Sequence, residues 1–399
     1  MITHLENIGC LFTWDSIRKC IHQQNNIDIL IEDHVIKDMG PSIKKGNFSI
    51  DCNNKLVTPG FVDSHTHPVF FQGREEEYAQ RISGMSYQEI ANKGGGIQSS
   101  IEGVRSATID TLVDKLYLRM DRFLKNGTTT VEAKSGYGLS TESELKSLEV
   151  IHKVDNLHKI DIIPTFMGAH AFPPVYSRNH DAYVDLICDE MIPAVAEQGI
   201  AKYCDVFCEE GYFNLEQTSR VLNTGRQNGL IPRMHADEFR DFGAVELAAE
   251  LGCVSADHLM AVCENGINAL SDKNVIGTLL PGTTFFLGSK KYAPARRMIE
   301  AGVPIALATD FNPGSSHLQS MSFILVLACL YLHMTIEEAM IASTWQGAVS
   351  LGLEEQVGSI EIGKKADLIV WDVEKPIDVV YSCPGAKIRH VFKNGLQIF

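Results

Sequence analysis

Basic residues are scarce in this chain: 35 lysines and arginines stand against 50 aspartates and glutamates, a formal net charge of −15. Nucleic-acid binding relies on clustered Lys and Arg to neutralise phosphates, so a polyanion partner is excluded. The densest basic runs, Lys44-Lys45 and Lys364-Lys365, are short and read as solvated turns. Long apolar runs are missing as well. Nowhere do about 18 uncharged apolar residues follow one another, so no membrane span is expected. The opening Met1-Ile-Thr-His-Leu-Glu-Asn has no basic start followed by an apolar stretch, which predicts a cytoplasmic protein. No CxxC pair with zinc spacing occurs among the ten cysteines. They lie scattered in apolar stretches such as Tyr203–Cys208 and read as buried free thiols in a reducing compartment. A small anion can still be held by one local arginine.

What remains is an ordinary globular composition, with 45% hydrophobic and 21% charged residues over 399 positions. That length exceeds what one core usually organises unless the fold is a large barrel. One large α/β domain with an appendage is expected.

Residues 1–57 alternate apolar and polar positions, as in Ile27–Ile36, with Asp33-His34 at a turn, and show no helix period. The same texture returns at Gly358–Gly363, Ala366–Asp372 and His390–Phe399, where Asn394-Gly395 is a strong hairpin signal. Neither segment has enough strands to bury a face alone. Residues 1–57 and 358–399 are therefore paired as one discontinuous β-sandwich domain.

Between them, over 58–357, strands and helices alternate. The strand candidates are Gly60–His67, Thr129–Lys134, Ile160–His170, Tyr203–Glu210, Ile231–Glu238, Val254–Leu259, Val275–Pro281 and Val303–Asp310. Eight is the number a closed parallel barrel requires. Leu112, Leu116, Met120, Phe123 and Leu124 form one helical stripe ending at Asn126-Gly127. Asn214 with Gln217, and Thr335 with Glu338, have capping-box spacing. The predicted fold is a (β/α)8 TIM barrel.

In such a barrel, chemistry sits at the C-terminal strand ends. The first candidate strand ends in His65-Thr66-His67, and alternation points both imidazoles the same way, as a shared metal requires. The pair alone is a weak signal. It gains force because other strands end in His170, in Glu209-Glu210, in His235 and Glu238, in His258 and in Asp310. Ionisable groups at the edge of a closed core need compensating partners. His65, His67, His235 and Asp310 can supply three neutral imidazoles and a carboxylate, a set that suits Zn2+ or Fe2+ with a position left for water. Such a water has a pKa near about 7 and yields hydroxide as nucleophile, so the reaction class is metal-assisted hydrolysis.

Several stretches together carry a resemblance: Pro59-Gly-Phe-Val-Asp-Ser-His-Thr-His, Val131-Glu-Ala-Lys-Ser-Gly-Tyr-Gly, Pro164-Thr-Phe-Met-Gly-Ala-His-Ala, Asp205-Val-Phe-Cys-Glu-Glu, His235-Ala-Asp-Glu-Phe, Ser255-Ala-Asp-His, Leu280-Pro-Gly-Thr-Thr-Phe-Phe-Leu-Gly, Ala308-Thr-Asp-Phe-Asn-Pro-Gly-Ser and Gly363-Lys-Lys-Ala-Asp-Leu. The chain resembles the amidohydrolase superfamily. It is most similar to those members that open the ring of 4-imidazolone-5-propanoate to N-formimidoyl-L-glutamate in histidine degradation.

The resemblance implies that His65, His67, His235 and Asp310 hold one Zn2+ or Fe2+ per chain. Binuclear members bridge two ions through a lysine where this chain has Cys208-Glu209-Glu210. It further implies Asp310, His258 and Glu238 as catalytic residues, with either Asp310 or Glu238 as the general base. Arg74, Tyr137, His170, Glu238, Asn312, Gly314 and Ser315 are implied as substrate contacts, the last three through side chain or backbone N–H. A homodimer is expected by family analogy. Ser64 stands where many members have proline, and Thr344-Trp345-Gln346-Gly347 replaces a more usual Thr-x-Asn-Ala. Competing readings are a nucleobase deaminase, another cyclic-amide hydrolase, or a non-catalytic scaffold.

Overall fold

The computed structural model describes residues 2–41, 43, 46–85, 89, 95–382 and 386–399. Fifteen strands, numbered β1 to β15 in chain order, divide into two sheets. The barrel sheet contains β5 Phe61–Asp63, β6 Thr128–Lys134, β7 Asp161–Ala169, β8 Tyr203–Cys208, β9 Ile231–Ala236, β10 Ser255–His258, β11 Ile276–Leu279 and β12 Ile305–Leu307. Each of these pairs in parallel with the next. Every strand expected from the sequence is present, most of them shorter than their apolar runs. At or just beyond the strand ends Asp237, His258 and Asp310 take positive φ, of 47°, 79° and 52°. Residues held in that sparsely populated region cluster at functional sites.

The barrel closes between its first and last strands without a regular ladder. The Asp310 N–H donates to the His65 carbonyl at 3.0 Å, and the His67 N–H donates to the Phe311 carbonyl at 2.8 Å. Below them the buried Asp63 carboxylate accepts from the Thr309 N–H at 3.0 Å and hydroxyl at 2.6 Å. Burial pushes the Asp63 carboxyl up to about 7, against the opposing effect of these bonds.

The helices follow their sequence signals. Ile109–Lys125 buries Leu112, Leu116, Met120, Phe123 and Leu124, and it stops where Gly127 adopts φ of 85°. Both capping boxes form, at Asn214/Gln217 and Thr335/Glu338.

Both termini meet in a second, seven-stranded sheet of order β15-β14-β13-β4-β1-β2-β3. Its strands are β1 Ile2–Asp15, β2 Cys20–Glu32, β3 Val35–Gly40, β4 Phe48–Pro59, β13 Leu368–Trp371, β14 Ile388–Lys393 and β15 Leu396–Gln397. Period-2 alternation gives it two buried faces. Leu11, Val57, Leu368 and Val370 join a core of its own, while Phe12, Leu56, Ile369 and Trp371 join the barrel core. Strand β4 runs through Gly60 into β5, so this sheet is continuous with the chain that carries His65 and His67.

Lys364 departs from the expected solvated turn. It is 7% exposed, lies 4.5 Å from the Trp345 ring centre and donates to the Glu354 carbonyl and the Ser359 hydroxyl. Its ammonium has enough nearby acceptors to be buried. Lys44-Lys45 lie outside the described residues. The glycine at 347 also has a packing reason, because a Cβ there would sit 2.5 Å from the Val62 carbonyl oxygen. Among the described residues nine cysteines are free, six of them buried. No helix among the described residues is long and apolar enough to cross a membrane.

Candidate metal centre and active site

His65, His67, His235 and Asp310 come together where the closing seam meets the end of β9. His67 Nε2 lies 3.3 Å from both His65 Nε2 and His235 Nε2. Asp310 Oδ1 lies 3.6 Å from His65 Nε2 and 3.5 Å from His67 Nε2. Two donors bound at about 2.0–2.1 Å to one tetrahedral ion are about 3.3 Å apart, so the spacing suits a shared cation.

The tautomers agree with that reading. Asp257 Oδ2 accepts from His65 Nδ1 at 2.7 Å, and Asp205 Oδ1 accepts from His235 Nδ1 at 3.1 Å. Each carboxylate fixes the hydrogen on Nδ1 and leaves a lone pair on the inward Nε2. His67 lies between these two lone pairs and can donate to only one of them, so a facing pair remains that a cation relieves. Burial holds the pKa of His65 and His67 well below the usual imidazole range, favouring the neutral ligand form.

The orienting carboxylates are themselves braced by buried cations. Lys134 Nζ lies 2.7 Å from Asp205 Oδ2 and 2.6 Å from Glu132 Oε1, with all three side chains fully buried. Burial alone would depress the Lys134 pKa, but Asp205 and Glu132 outweigh it and the net shift is upward. Glu132 Oε2 in turn accepts from the Thr66 N–H, the peptide between the two strand-end histidines. On the other side Arg233 Nη2 lies 3.6 Å from Asp257 Oδ2 and donates to the Ser64 carbonyl at 3.1 Å. That contact uses only the backbone of Ser64.

A cavity of about 330 Å3 opens beside these groups. His67, His235, His258, Glu238 and Asp310 line one part of it. Asp310 Oδ2 accepts from the Thr283 hydroxyl at 2.5 Å. Burial pushes its carboxyl up to about 6, with the Thr283 bond opposing. Glu238 Oε1 is 3.7 Å from His258 Nδ1. Burial, then the nearby Asp310, drives the Glu238 pKa well above the ordinary carboxyl value, which favours its protonated form. His258 is likewise neutral, lowered first by burial and then by His235.

The cavity is also lined by Arg74, Tyr137, His170, Asn312 and Ser315. Arg74 caps the helix Glu75–Ile82, and its Nε and Nη1 are buried without a hydrogen-bond partner, Glu77 Oε2 being 3.8 Å from Nε. His170 Nδ1 donates to the Gly136 carbonyl at 2.9 Å, and the ring stacks on His67 at 5.0 Å. Gly314 does not line the cavity. Its N–H is taken up by Asn312 Oδ1, and a Cβ at this position would lie 1.2 Å from Arg74 Nη2. Asn312 Oδ1 also accepts from the Ser315 N–H at 2.7 Å, so the carboxamide shapes the loop.

Asp205, Asp257, Lys134, Thr283 and Arg81 were not among the site residues drawn from the sequence. Asp205 and Asp257 carried a usable signal: a carboxylate inside the apolar runs Tyr-Cys-Asp-Val-Phe-Cys and Ser-Ala-Asp-His must meet a partner in the core.

One prediction follows from the buried imidazoles. Burial, reinforced by His235, lowers the His170 pKa from 6.5 to about 3. Below 6.5 the unfolded chain therefore takes up the proton first. Stability is fully present above that pH and is lost as pH falls toward 3, at about 1.4 kcal/mol per pH unit for each such histidine. Metal-depleted protein is expected to show a falling Tm from pH 7 to pH 5; a flat Tm over that range would contradict the neutral, buried imidazoles.

An eight-stranded parallel barrel with histidines and an aspartate converging at its C-terminal rim defines a metal-dependent hydrolase of the amidohydrolase class. Residues 233–398 match the model of the amidohydrolase family. The imidazolonepropionase of Shouchella clausii (strain KSM-K16) is 48% identical over 347 residues, which is 87% of this chain and 77% of that protein. That of Clostridium tetani (strain Massachusetts / E88) is 45% identical over 381 residues, 94% of this chain and 91% of that protein. The chain belongs to the imidazolonepropionase family. Solved structures with the same fold include a 5-methylcytosine deaminase from Klebsiella pneumoniae, with a TM-score of 0.76 at 16% identity over 100% of this chain and 98% of that one. An adenosine deaminase from Xanthomonas campestris with bound zinc has a TM-score of 0.71 at 18% identity, covering 99% of this chain and 92% of that one.

Proposed function

We propose that this enzyme hydrolyses the cyclic amide C–N bond of 4-imidazolone-5-propanoate, giving N-formimidoyl-L-glutamate in histidine degradation. The observation that carries the reading is the make-up of the cavity: one space is lined both by the histidine–aspartate cluster and by a buried arginine with unpartnered nitrogens. A planar ring ending in a carboxylate has matching chemistry.

His65, His67, His235 and Asp310 would hold one divalent ion per chain, Zn2+ or Fe2+. When bound, it polarises the substrate carbonyl and makes water acidic enough to attack near neutral pH. Glu209, at the end of β8, already accepts from the N–H groups of Glu210 and Phe239, which speaks against a second ion there. Metal analysis of washed protein is expected to give one equivalent, and two would overturn this count.

Asp310 takes the water proton on its carboxylate and returns it to the ring nitrogen as the C–N bond breaks, while the hydroxyl adds to the carbonyl carbon. His258 donates a hydrogen bond to the carbonyl oxygen as negative charge develops. Glu238, whose protonated form burial favours, donates to the ring edge. Its alternative role as general base is weakened by that same burial. Arg74 receives the propanoate, with Tyr137, His170, Asn312 and Ser315 completing the ring and carboxylate contacts. Gly314 serves by leaving room for Arg74. The Arg74→Lys enzyme is expected to show KM raised about tenfold or more with kcat little changed, because the lost fork binds ground state and transition state alike. An unchanged KM would refute this role.

The deciding experiment incubates metal-loaded enzyme with freshly generated 4-imidazolone-5-propanoate and follows the loss of its ultraviolet absorbance. Absorbance no faster to decay than in the protein-free control would overturn the reading. A cytoplasmic homodimer completes the proposal, with sedimentation as its check.

A further inference from the structure

We infer that Arg81 is a second substrate-binding guanidinium, which together with Arg74 forms a paired receiver for the carboxylate tail; this rests on the proposed reaction. Arg74 caps the helix Glu75–Ile82 and Arg81 lies in its last turn, seven residues on. Seven residues are about two turns, so both project from one helix face about 10 Å apart along the axis. Their guanidinium groups nevertheless converge on the same residue of another loop. Arg74 Nη2 occupies the space where a Gly314 Cβ would stand, and Arg81 Nη2 donates to the Gly314 carbonyl at 3.0 Å. The Arg74 N–H also donates to the Pro313 carbonyl, at 3.2 Å. One glycine is thus bracketed by two cations.

Arg81 is held in place by more than that bond. Its guanidinium carbon lies 5.4 Å from the Tyr78 ring centre and 5.3 Å from that of Phe286. Rings on which a guanidinium packs restrict it without neutralising it. Both arginines line the cavity, and so do Met85, Ile97 and Leu287. Among the described residues the carboxyl groups that line it are Glu238 and Asp310, at the metal centre. Glu77 Oε2, 3.8 Å from Arg74 Nε, is beyond hydrogen-bonding distance, so a carboxylate tail can take up the Arg74 fork that Gly314 leaves room for beside Arg81. In a chain of net charge −15, such a pair also focuses an anionic ligand that the rest of the surface repels.

The test titrates two probes onto metal-loaded protein by calorimetry: imidazole-4-propanoate, which has the carboxylate tail, and 4-methylimidazole, which lacks it. Arg81→Met is expected to weaken imidazole-4-propanoate about 10- to 100-fold, the loss of a charge-assisted pair, and to leave 4-methylimidazole within about twofold. Arg81→Lys keeps the charge but loses the fork, and its loss is expected to be intermediate. It carries the test if the methionine variant does not fold. Wild-type affinity for imidazole-4-propanoate in either variant would overturn the inference. Arg81-dependent preference in a protein that leaves 4-imidazolone-5-propanoate intact would support the receiver and reject the proposed reaction.

Discussion

Replacing His235 with alanine is expected to remove the bound metal and at least about 1,000-fold of kcat/KM. The ion's contribution to stabilising transition-state charge is several kcal/mol, and each 1.36 kcal/mol is a factor of ten. His235 Nε2 stands 3.3 Å from His67 Nε2 and its Nδ1 is held by Asp205, so the alanine variant loses a donor to the cation and leaves a buried carboxylate without its imidazole partner. The loss should appear first as metal content after a chelator wash and second as activity. A variant that kept a full equivalent of metal and wild-type turnover would remove His235 from the ligand set.

Exchanging Asp310 for asparagine is the other large effect. As the proposed proton carrier it is worth about 100- to 10,000-fold in kcat. Asparagine retains an oxygen for the cation and for the Thr283 hydroxyl, yet it cannot accept the water proton. Burial pushes the Asp310 carboxyl up to about 6, and a cation beside it draws the value down. Below its pKa the carboxyl is protonated and cannot act as base, so activity should fall on the acid side. Glu238→Gln is expected to keep that acid limb, because burial favours the protonated form of Glu238 and the limb belongs to Asp310. If the limb vanished in Glu238→Gln alone, the roles of the two carboxyl groups would have to be exchanged.

Much of the fold was legible because period and punctuation agree along this chain. The stripe from Leu112 to Leu124 and its stop at Asn126-Gly127 name both a helix face and its end, and the structure buries those same five residues. The eight apolar runs identify the barrel strands. Their ends were overestimated, because sequence character continues past the last paired residues, as at Asp237 and His258, which turn into positive φ. Single-residue turns of that kind leave no trace in hydrophobic periodicity. Among the candidate ligands, strand-end position and residue type sufficed to select four side chains that prove adjacent. Lys134 could not be read the same way: its value lies in Glu132, two residues back on β6, and in Asp205 on β8, two strands away across the barrel. The meeting of Arg74 and Arg81 at Gly314 was equally invisible, since it depends on a loop more than 200 positions away in the chain.

The seam between β5 and β12 has a consequence for handling the protein. His65 and His67 follow one of these strands and Asp310 follows the other, so an ion bound by all three crosslinks the join where the barrel lacks a regular ladder. Stripping the metal therefore leaves two strand edges held by a few backbone and side-chain bonds, and unpaired edges template aggregation. Metal-starved preparations should precipitate before they unfold, with amide exchange quickening first at His67 and Asp310.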